Sequence, residues 1–322
     1  MSDLSRRTVL LVDGMGTFLR HFVANPAVST NGDHIGGVIG TMNEIRSLCD
    51  RFRPRRIYVV WESGGSPRRR AIFPDYKSNR KAAKLNRFYS DDIPQTVGGR
   101  DSQVKMLVSL LKHSPIVQLY VPDCEADDVI GYVSRYHHKE ELKVILSPDH
   151  DYYQLISEGS MVWSPTWKKM VEESGVLEKY GVHPNNFALA KSVCGDQSDC
   201  IPGVEGVGFK TLAKKFPELS QAATVMVSDF MRQARSLSES GDKTKCVRSI
   251  IESEELIHRN WSLVYLDTAN LSGSQITRVE GIIEQASPQR RKIEFIRTMI
   301  SLGIQTFDAD RFFNSMTQVE TK

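Results

Sequence analysis

The chain has 322 residues, 40% of them hydrophobic and 25% charged, and its formal net charge is +3. These proportions are typical of a globular protein, and the length allows one large domain or a catalytic domain with a smaller companion. No apolar run approaches the roughly 18 residues that a membrane-spanning helix requires, so we expect no membrane partner. The five cysteines are odd in number and lack CxxC spacing, which favours free thiols over a zinc site.

In the first half of the chain, apolar runs alternate with segments of helical periodicity. The runs predict strands at residues 8–12, 56–61, 117–121 and 143–147, with 161–164 as a further candidate. The periodic segments predict helices at residues 35–52, 102–111 and 126–136. Strands that alternate with helices of this length predict an α/β fold, with a mostly parallel central sheet flanked by helices.

Strand signals fade after about residue 185, and the apolar patterns that remain are helical. These patterns predict helices at residues 188–194, 208–216, 222–237, 245–258 and 292–302. We therefore expect an α/β catalytic domain at residues 1–185 and a helical region at residues 186–322.

Acidic residues recur at the downstream ends of the predicted strands. The carboxyl ends of parallel strands meet at one edge of a sheet, where open α/β folds bind their ligands. Carboxylates gathered there repel one another unless cations neutralise them, and hard ions such as Mg²⁺ prefer oxygen ligands. The pattern predicts a centre for two Mg²⁺ ions, with Mn²⁺ as a substitute, and such centres mostly cleave phosphodiester bonds. The candidate metal ligands are Asp13, Glu62, Glu125, Asp127, Asp128, Asp149, Asp151, Asp196 and Asp199.

Helix capping is the alternative explanation for some of these acids. Asp13 precedes glycine in VDGMG, which equally suits a turn or a helix N-cap. The acids of EADD at 125–128 open a helix and complement its macrodipole, although three acids exceed what capping needs. The pair Asp149 and Asp151 gives a stronger metal signal, because both directly follow a buried strand. We expect His150 between them to contact solvent or phosphate rather than to act as a general base.

A basic insertion at about 63–100 interrupts the alternation of strands and helices. Between Ser63 and Ser90 there are eight lysines and arginines but a single acid, Asp75, and four aromatic residues are interleaved with them. Such a mixture is typical of single-strand binding, because aromatic faces stack on bases while basic groups contact phosphates; a solvated charged face is the alternative. The candidates for nucleic-acid contact here are Arg69, Tyr76, Lys81 and Lys84. Lys77 and Arg80 are the candidate catalytic residues, which would stabilise the scissile phosphate.

The segment GDQSDCIPGVEGVGFKT at 195–211 combines closely spaced glycines with the start of a basic helix. The N–H groups of such a hairpin can hold a phosphate, and its carbonyls can hold a monovalent cation such as K⁺. The pattern predicts a helix–hairpin–helix at about 195–216 that contacts the DNA backbone without sequence preference; glycines that only shape the turn are the alternative. The candidate contacts are Gly203, Gly206, Gly208, Lys210, Lys214 and Lys215.

Five motifs, in this order and spacing, resemble those of the 5′-nuclease family. They are VDG near the N-terminus, PDYKSNR, EADD, SPDHDYYQL and GDQSDCIPGVEGVGFKT. The family includes phage flap endonucleases, phage RNase H and the 5′-nuclease domain of bacterial DNA polymerase I. The stretches at 162–171 and 254–267 are most similar to the phage RNase H branch, and the resemblance covers nearly the whole chain.

The resemblance implies a PIN-like core with two divalent ions, a helical arch over the insertion that threads a 5′ single strand, and a helix–hairpin–helix that binds duplex DNA. Around the first ion it implies Asp13, Glu62, Glu125, Asp127 and Asp149. Near the second ion it implies Asp149 or Asp151 together with Asp196 and Asp199, while Asp128 would either support the ligands from behind or bind an ion through a water molecule. Lys77 and Arg80 match the basic pair at the base of the arch. Glu62 stands where the family usually has Asp, so the geometry there must differ.

The resemblance further implies a divalent-metal-dependent 5′→3′ exonuclease and structure-specific flap endonuclease that removes RNA primers or 5′ flaps during DNA replication. The expected partners are DNA and RNA–DNA hybrids with 5′ ends or flaps, with a single-strand binding protein or a sliding clamp as candidate protein partners. We expect a monomer in the cytoplasm, that of the host cell if a phage encodes the chain. The alternatives are a PIN-like single-strand RNase, which usually lacks the insertion and the hairpin, and a catalytically inactive protein that binds branched DNA.

Overall fold

The computed structural model describes residues 7–62, 64–79, 97–157 and 159–321. The strands are β1 (Thr8–Asp13), β2 (Arg56–Trp61), β3 (Val117–Tyr120), β4 (Leu142–Leu146), β5 (Ser160–Ser164) and β6 (Lys169–Val171). The helices up to residue 180 are α1 (Gly14–Ala24), α2 (Gly36–Phe52), α3 (Pro67–Ile72), α4 (Val97–Leu111), α5 (Ala126–Tyr136) and α6 (Glu173–Tyr180). The later helices are α7 (Phe187–Cys194), α8 (Phe209–Lys215), α9 (Val227–Glu239), α10 (Lys245–Glu252), α11 (Glu254–Val264), α12 (Gly273–Gln285), α13 (Lys292–Ser301) and α14 (Ala309–Ser315). Among the described residues, no helix is both long and apolar enough to cross a membrane.

The six strands form one sheet in the order β3-β2-β1-β4-β5-β6. All neighbouring pairs are parallel except β5 and β6, which are antiparallel. The strand order runs outward from β1 to β3 and then restarts on the other side of β1 with β4. The predicted fold class, a mostly parallel sheet flanked by helices, is confirmed. This reversal leaves a crevice between the carboxyl ends of β1 and β4, which is where sheets of this kind bind ligands.

The side chains of β1 alternate between two apolar layers, because successive residues of a strand point to opposite faces. Leu10 and Val12 belong to a core that also contains side chains of α1, α2, α4, α13 and α14. Val9 and Leu11 belong to a second core on the other face, with side chains of α5 and α12. The sheet is therefore covered on both faces, and only its edges and strand ends remain for a ligand.

The helical region predicted at 186–322 is divided differently in the structure. Residues from Val182 to Ile257 form a third core, built by α7 to α11. After α11 the chain returns to the sheet, where Leu266, Leu271 and Val279 join the second core. Phe295 and Phe312, from α13 and α14, join the first core. The C-terminal helices thus complete the α/β layers instead of extending the helical region.

Candidate metal centre

The candidate centre lies at the crevice between β1 and β4. Asp13 is the last residue of β1, and Asp149 follows β4 after a short turn. The Ser147 hydroxyl connects the two: its Oγ donates to Oδ2 of Asp13 at 3.1 Å and accepts from the N–H of Asp149 at 3.1 Å. Asp13 also caps α1, because its Oδ1 accepts from the N–H of Gly16 at 2.8 Å. The capping alternative for Asp13 is therefore confirmed, and it is compatible with a position in the crevice, where the metal-ligand role stays a prediction.

A cavity of about 640 Å³ opens at this crevice and collects acids from distant parts of the sequence. The predicted metal ligands that line it are Asp13, Glu62, Glu125, Asp127, Asp149 and Asp196. Lys77 and Lys191 line the same cavity. The fold thus brings together acids that follow β1, β2 and β4 with acids at the start of α5 and after α7.

Two sets of three carboxylates have oxygen atoms within 4.8 Å of one another. One set is Asp127, Asp149 and Asp151, and the other is Asp151, Asp196 and Asp199. Asp151 belongs to both and so lies between them. Oxygen-only donor sets of this size fit hard divalent cations. Within the described residues neither set includes Asp13, Glu62 or Glu125, which line the same cavity as Asp127 and Asp149.

The pKa values of the innermost acids reflect this crowding. Burial, together with the charges of Asp149 and Glu62, raises the pKa of Asp13 to about 6, although the hydrogen bonds from Gly16 and Ser147 oppose the rise. Burial and the charge of Asp149 also raise the pKa of Asp127 well above its usual range. The Tyr152 hydroxyl donates to Oδ1 of Asp127 at 2.5 Å. Negative charge is therefore held here at a cost that a bound cation would remove.

Lys191 is a residue of this site that the sequence analysis missed. It lies in α7, is 8% exposed, and its Nζ pairs with Asp151 and with Oδ2 of Asp196, the latter at 2.6 Å. Burial would raise the pKa of Asp196, but the Lys191 charge and hydrogen bonds outweigh it and hold that pKa below its usual value. One feature of the sequence could have indicated this buried lysine: it is the single charged residue of the apolar stretch FALAKSVC, five residues before Asp196.

Lys77, a predicted catalytic residue, lines the cavity as well. Its Nζ lies 2.6 Å from Oε2 of Glu125 and 3.7 Å from Oδ2 of Asp199. Burial would raise the pKa of Glu125, but the charges of Lys77 and Arg69 lower it below its usual value. The other predicted residues of the insertion, Arg80, Lys81 and Lys84, lie outside the described residues.

The predicted roles of Arg69 in DNA binding and of Asp128 in metal binding need correction, because the two residues pair with each other in the interior. Arg69 is 2% exposed and donates from Nη1 and Nη2 to the two carboxylate oxygens of Asp128, at 2.6 and 2.7 Å. Its Nε donates to the carbonyl of Leu263 at 2.7 Å. Neither residue lines the cavity, and the Arg69 guanidinium is directed to Asp128 and Leu263 in the interior, so the pair is placed to hold the fold rather than to bind DNA or a metal ion. Both residues are structural.

The prediction that Tyr76 contacts nucleic acid also needs correction. It is 6% exposed, and its hydroxyl donates to Oε2 of Glu125 at 3.0 Å. Lys77 and Arg69 lie over its ring, with their charged groups 4.9 and 5.9 Å from the ring centre. With little free ring surface, Tyr76 positions Glu125 and Lys77 instead of presenting a stacking face.

The segment predicted as a helix–hairpin–helix, 195–216, contains a turn and helix α8, and helix α7 ends directly before it. A Cβ on Gly203 would lie 2.1 Å from the carbonyl oxygen of Cys194, so this glycine allows close backbone packing and is a structural residue. Gly206 has a φ of +76°, and a Cβ on Gly206 or on Gly208 would meet only open space. Lys210 and Lys214 of α8 are exposed, whereas Lys215 is partly buried and pairs with Asp242. The exposed side of the hairpin thus includes Gly206, Gly208 and the first two lysines, together with Glu205, which pairs with Lys245.

Comparison with known proteins agrees with this architecture. Residues 8–181 match the family model described as the N-terminal resolvase-like domain of 5′-3′ exonuclease. A 5′-3′ exonuclease of Aquifex aeolicus is 32% identical over 64% of this chain and 67% of its own length. A thermostable DNA polymerase I of Thermus filiformis is 33% identical over 66% of this chain, but over only 24% of the polymerase.

Solved structures share the fold. The 5′-exonuclease of phage T5 with bound zinc has a TM-score of 0.69 at 24% identity, covering 86% of this chain and 99% of the T5 chain. A complex of the T5 D15 flap endonuclease with DNA and metal ions has a TM-score of 0.67 at 22% identity, covering 86% and 98% of the two chains. Human GEN1 in complex with Holliday junction DNA has a TM-score of 0.53 at 13% identity, covering 96% and 71%. The chain therefore belongs to the 5′-3′ exonuclease family of 5′-nucleases, and it is a nuclease that hydrolyses phosphodiester bonds.

Proposed function

We propose that this protein is a divalent-metal-dependent 5′→3′ exonuclease and flap endonuclease that removes RNA primers or 5′ flaps during DNA replication. The observation that supports this most directly is the pair of carboxylate sets that share Asp151 at the crevice of the sheet. Relatives named 5′-3′ exonuclease and DNA polymerase I, and the fold of a T5 flap endonuclease, support the same activity. A specific kinship with the phage RNase H branch stays a prediction.

Two Mg²⁺ ions, or Mn²⁺ in their place, are the proposed cofactors, and bound ions would supply Lewis acidity and an activated water. Asp127, Asp149 and Asp151 would hold one ion, with Asp13, Glu62 and Glu125 on the surrounding wall. Asp151, Asp196 and Asp199 would hold the other. Asp151, at the centre of both sets, fixes their spacing.

The chain's own cations would handle the phosphate. Lys77 lies at the cavity wall beside Glu125, where its ammonium can donate to a non-bridging phosphate oxygen and offset charge that develops during cleavage. We propose the same task for Arg80. Tyr76 and the buried Arg69–Asp128 pair hold Glu125 and therefore hold Lys77 at this wall.

The proposed substrates are DNA and RNA–DNA hybrids that carry 5′ ends or flaps. The exposed side of the hairpin, with Gly206, Gly208, Lys210 and Lys214, would contact the backbone of the duplex part. A K⁺ ion held by hairpin carbonyls, Lys81 and Lys84 as phosphate contacts, a monomeric cytoplasmic enzyme, and a clamp or single-strand binding protein as partner all belong to this proposal.

The test is cleavage of end-labelled 5′-flap, nicked and RNA-primed duplexes with Mg²⁺, Mn²⁺ or EDTA. The double variant Asp149→Asn with Asp196→Asn should lose cleavage by about a hundredfold or more, because each change removes an anionic oxygen from one carboxylate set. It should still bind the flapped duplex. The matched control changes two exposed acids, Asp229→Asn with Asp310→Asn, and should cut like the wild type.

Three results would contradict the proposal in different ways. Equal cleavage by the wild type and the Asp149/Asp196 variant would show that the active site lies elsewhere. Cleavage of single-stranded RNA with no cleavage of flapped DNA would identify a PIN-like RNase. A wild-type protein that binds flaps but never cuts them would identify an inactive branched-DNA-binding protein.

A further inference from the structure

The turn between β5 and β6 places an exposed tryptophan beside the candidate metal centre. Ser164 pairs with Lys169 across the two antiparallel strands, which leaves Trp167 in the turn between them. The backbone N–H of Trp167 donates to the Ser164 hydroxyl at 3.4 Å, and its side chain is 44% exposed. Large aromatic side chains at turn tips expose apolar surface to water, and aromatic residues are enriched where surfaces bind partners. Nothing in the proposed chemistry uses this indole.

The indole is connected to the candidate centre through His150. The two rings are stacked, with centroids 6.3 Å apart and planes inclined by 28°. His150 lies between Asp149 and Asp151 in the sequence and lines the central cavity, and its Nδ1 is 3.1 Å from the Tyr180 hydroxyl. These contacts form one aromatic surface that extends from the cavity wall to the turn between β5 and β6. We call this surface, made of Trp167, His150 and Tyr180, the Trp167 platform.

Two lysines flank this platform. The Nζ of Lys179 lies 4.6 Å from the Trp167 ring centre and 5.0 Å from that of Tyr180, and the Nζ of Lys169 lies 5.6 Å from the Trp167 ring centre. Both side chains are exposed, and they line a depression of about 780 Å³ together with Glu172 and Glu178. Aromatic faces with lysines beside them are the usual ingredients of a single-strand binding surface.

We propose that the Trp167 platform binds an unpaired nucleobase of the strand that enters the candidate metal centre. The base stacks on the indole, while Lys169 and Lys179 turn from the ring to the neighbouring phosphates. The exchange is favourable because one stacked base and two lysine–phosphate ion pairs together replace the exposed cation–π contacts, each of which is weak. An apolar protein partner fits less well, because both ammonium groups would lose water without gaining an acceptor. The inference rests on the proposed nuclease function, and it adds a subsite for single-stranded nucleic acid.

The experiment measures binding in EDTA to duplexes with a 5′ single-stranded DNA tail, by fluorescence anisotropy. One series of tails carries a single abasic nucleotide at each position in turn. We expect one position at which the abasic tail binds the wild type about tenfold more weakly, the order of magnitude of one lost stacking contact. Trp167→Ala should bind the intact tail about tenfold more weakly and should no longer respond to that abasic position, whereas Trp167→Phe should keep most of both effects.

Tyr136→Ala is the matched control, because Tyr136 is also 44% exposed. Tyr136 is the last residue of α5, whereas the first residues of α5 line the central cavity. This variant should behave like the wild type. The proposal is overturned if Trp167→Ala binds the intact tail as tightly as the wild type, or if it keeps the wild-type response to the abasic position. Failure of the nuclease function is seen separately, as an absence of Mg²⁺-dependent cleavage by the wild type, and it leaves the comparison in EDTA readable.

Discussion

Two lysine ammonium groups lie among the carboxylates of the candidate centre. Lys77 pairs with Glu125, and Lys191 pairs with both Asp151 and Asp196. At the scale of single residues these pairs offset the repulsion between acids that share a small volume. A divalent ion that takes the same carboxylate oxygens must compete with the ammonium groups for them. Lys191 is the stronger competitor, because it contacts two acids of one ligand set.

Replacement of Lys191 should therefore change the affinity for metal. In Lys191→Met, Asp151 and Asp196 lose their ammonium partner, and we expect Mn²⁺ to bind about tenfold more tightly, equivalent to ~1.4 kcal/mol. The measurement is a titration of EDTA-treated, desalted protein with Mn²⁺, followed by the EPR signal of the free ion. Lys112→Met, at an exposed position that does not line the central cavity, should leave the affinity unchanged. Weaker Mn²⁺ binding by Lys191→Met would show instead that the lysine holds the carboxylates in position for the ion.

Single side chains also set the limit of what the sequence predicts. The acids of the two carboxylate sets could be singled out from the sequence. Asp149 and Asp151 follow a strand pattern, Asp127 lies at a predicted helix start, and Asp196 and Asp199 belong to the glycine-rich motif at 195–211. The buried positions of Arg69, Tyr76 and Lys191 were not predictable, because basic and phenolic side chains are usually exposed, even where apolar residues flank them, as they do Lys191. Only the tertiary structure shows that each of the three is buried against a carboxylate.

At the scale of elements, one buried ion pair joins three helices. Arg69 of α3 binds Asp128 of α5 through two hydrogen bonds and the carbonyl of Leu263 in α11 through a third. Phe73 continues this contact, since the Arg259 guanidinium lies 4.4 Å from its ring centre. The start of the insertion is therefore fixed to the core and to the helical region at the same time.

Removal of one partner of this pair should destabilise the fold. Arg69→Met leaves Asp128 buried without its partner, and we expect the free energy of unfolding to fall by about 3–5 kcal/mol. Urea denaturation monitored by circular dichroism measures the loss. The double variant Arg69→Met with Asp128→Leu should recover much of it, because no buried charge remains. A single variant that unfolds like the wild type but binds DNA weakly would show that Arg69 contacts DNA after all.

The helices and strands differ in how well they can be predicted from the sequence. Helix α5 was predicted with its observed bounds, because its apolar periodicity is clear and acids occupy its first turn. Helix α1 was not predicted, because Gly14 and Gly16 lower the helix propensity of its first turn. A Cβ at Gly16 would lie 2.3 Å from Oδ2 of Asp13, so this glycine is needed for the cap. Strand β6 has only three residues, too few for a periodic signal.

At the scale of the whole molecule, helices α13 and α14 complete the first core, to which β1 also contributes. Phe312 of α14 is fully buried, and its ring lies 5.4 Å from that of Phe295 and 5.3 Å from that of Phe307. Arg290 fixes the segment that follows α14, because it donates to the carbonyls of Met316, Thr317 and Val319. Long-range closure of this kind could not be predicted, because a helical pattern does not specify which layer it will cover.

This closure has a measurable contribution to stability. Phe312→Ala should lower the free energy of unfolding by about 3–5 kcal/mol, because it empties a large aromatic site in a packed core. Ile300→Ala, at a position of α13 that is 69% exposed, should change it by less than about 0.5 kcal/mol. Thermal or urea unfolding of the two variants provides the comparison. Equal stabilities would mean that α14 does not belong to the folding unit of the sheet.

The crevice between β1 and β4 also has a kinetic consequence. Asp127, Asp149 and Asp196 approach one another only after β1, β4, α5 and α7 have all assembled, since they come from segments far apart in the chain. Contacts of such long sequence separation form late in folding. Ions held by the two carboxylate sets would therefore stabilise the native state but not the folding transition state, and so they would slow unfolding while leaving the folding rate nearly unchanged. For this protein, ions at the active centre would set the lifetime of the native state.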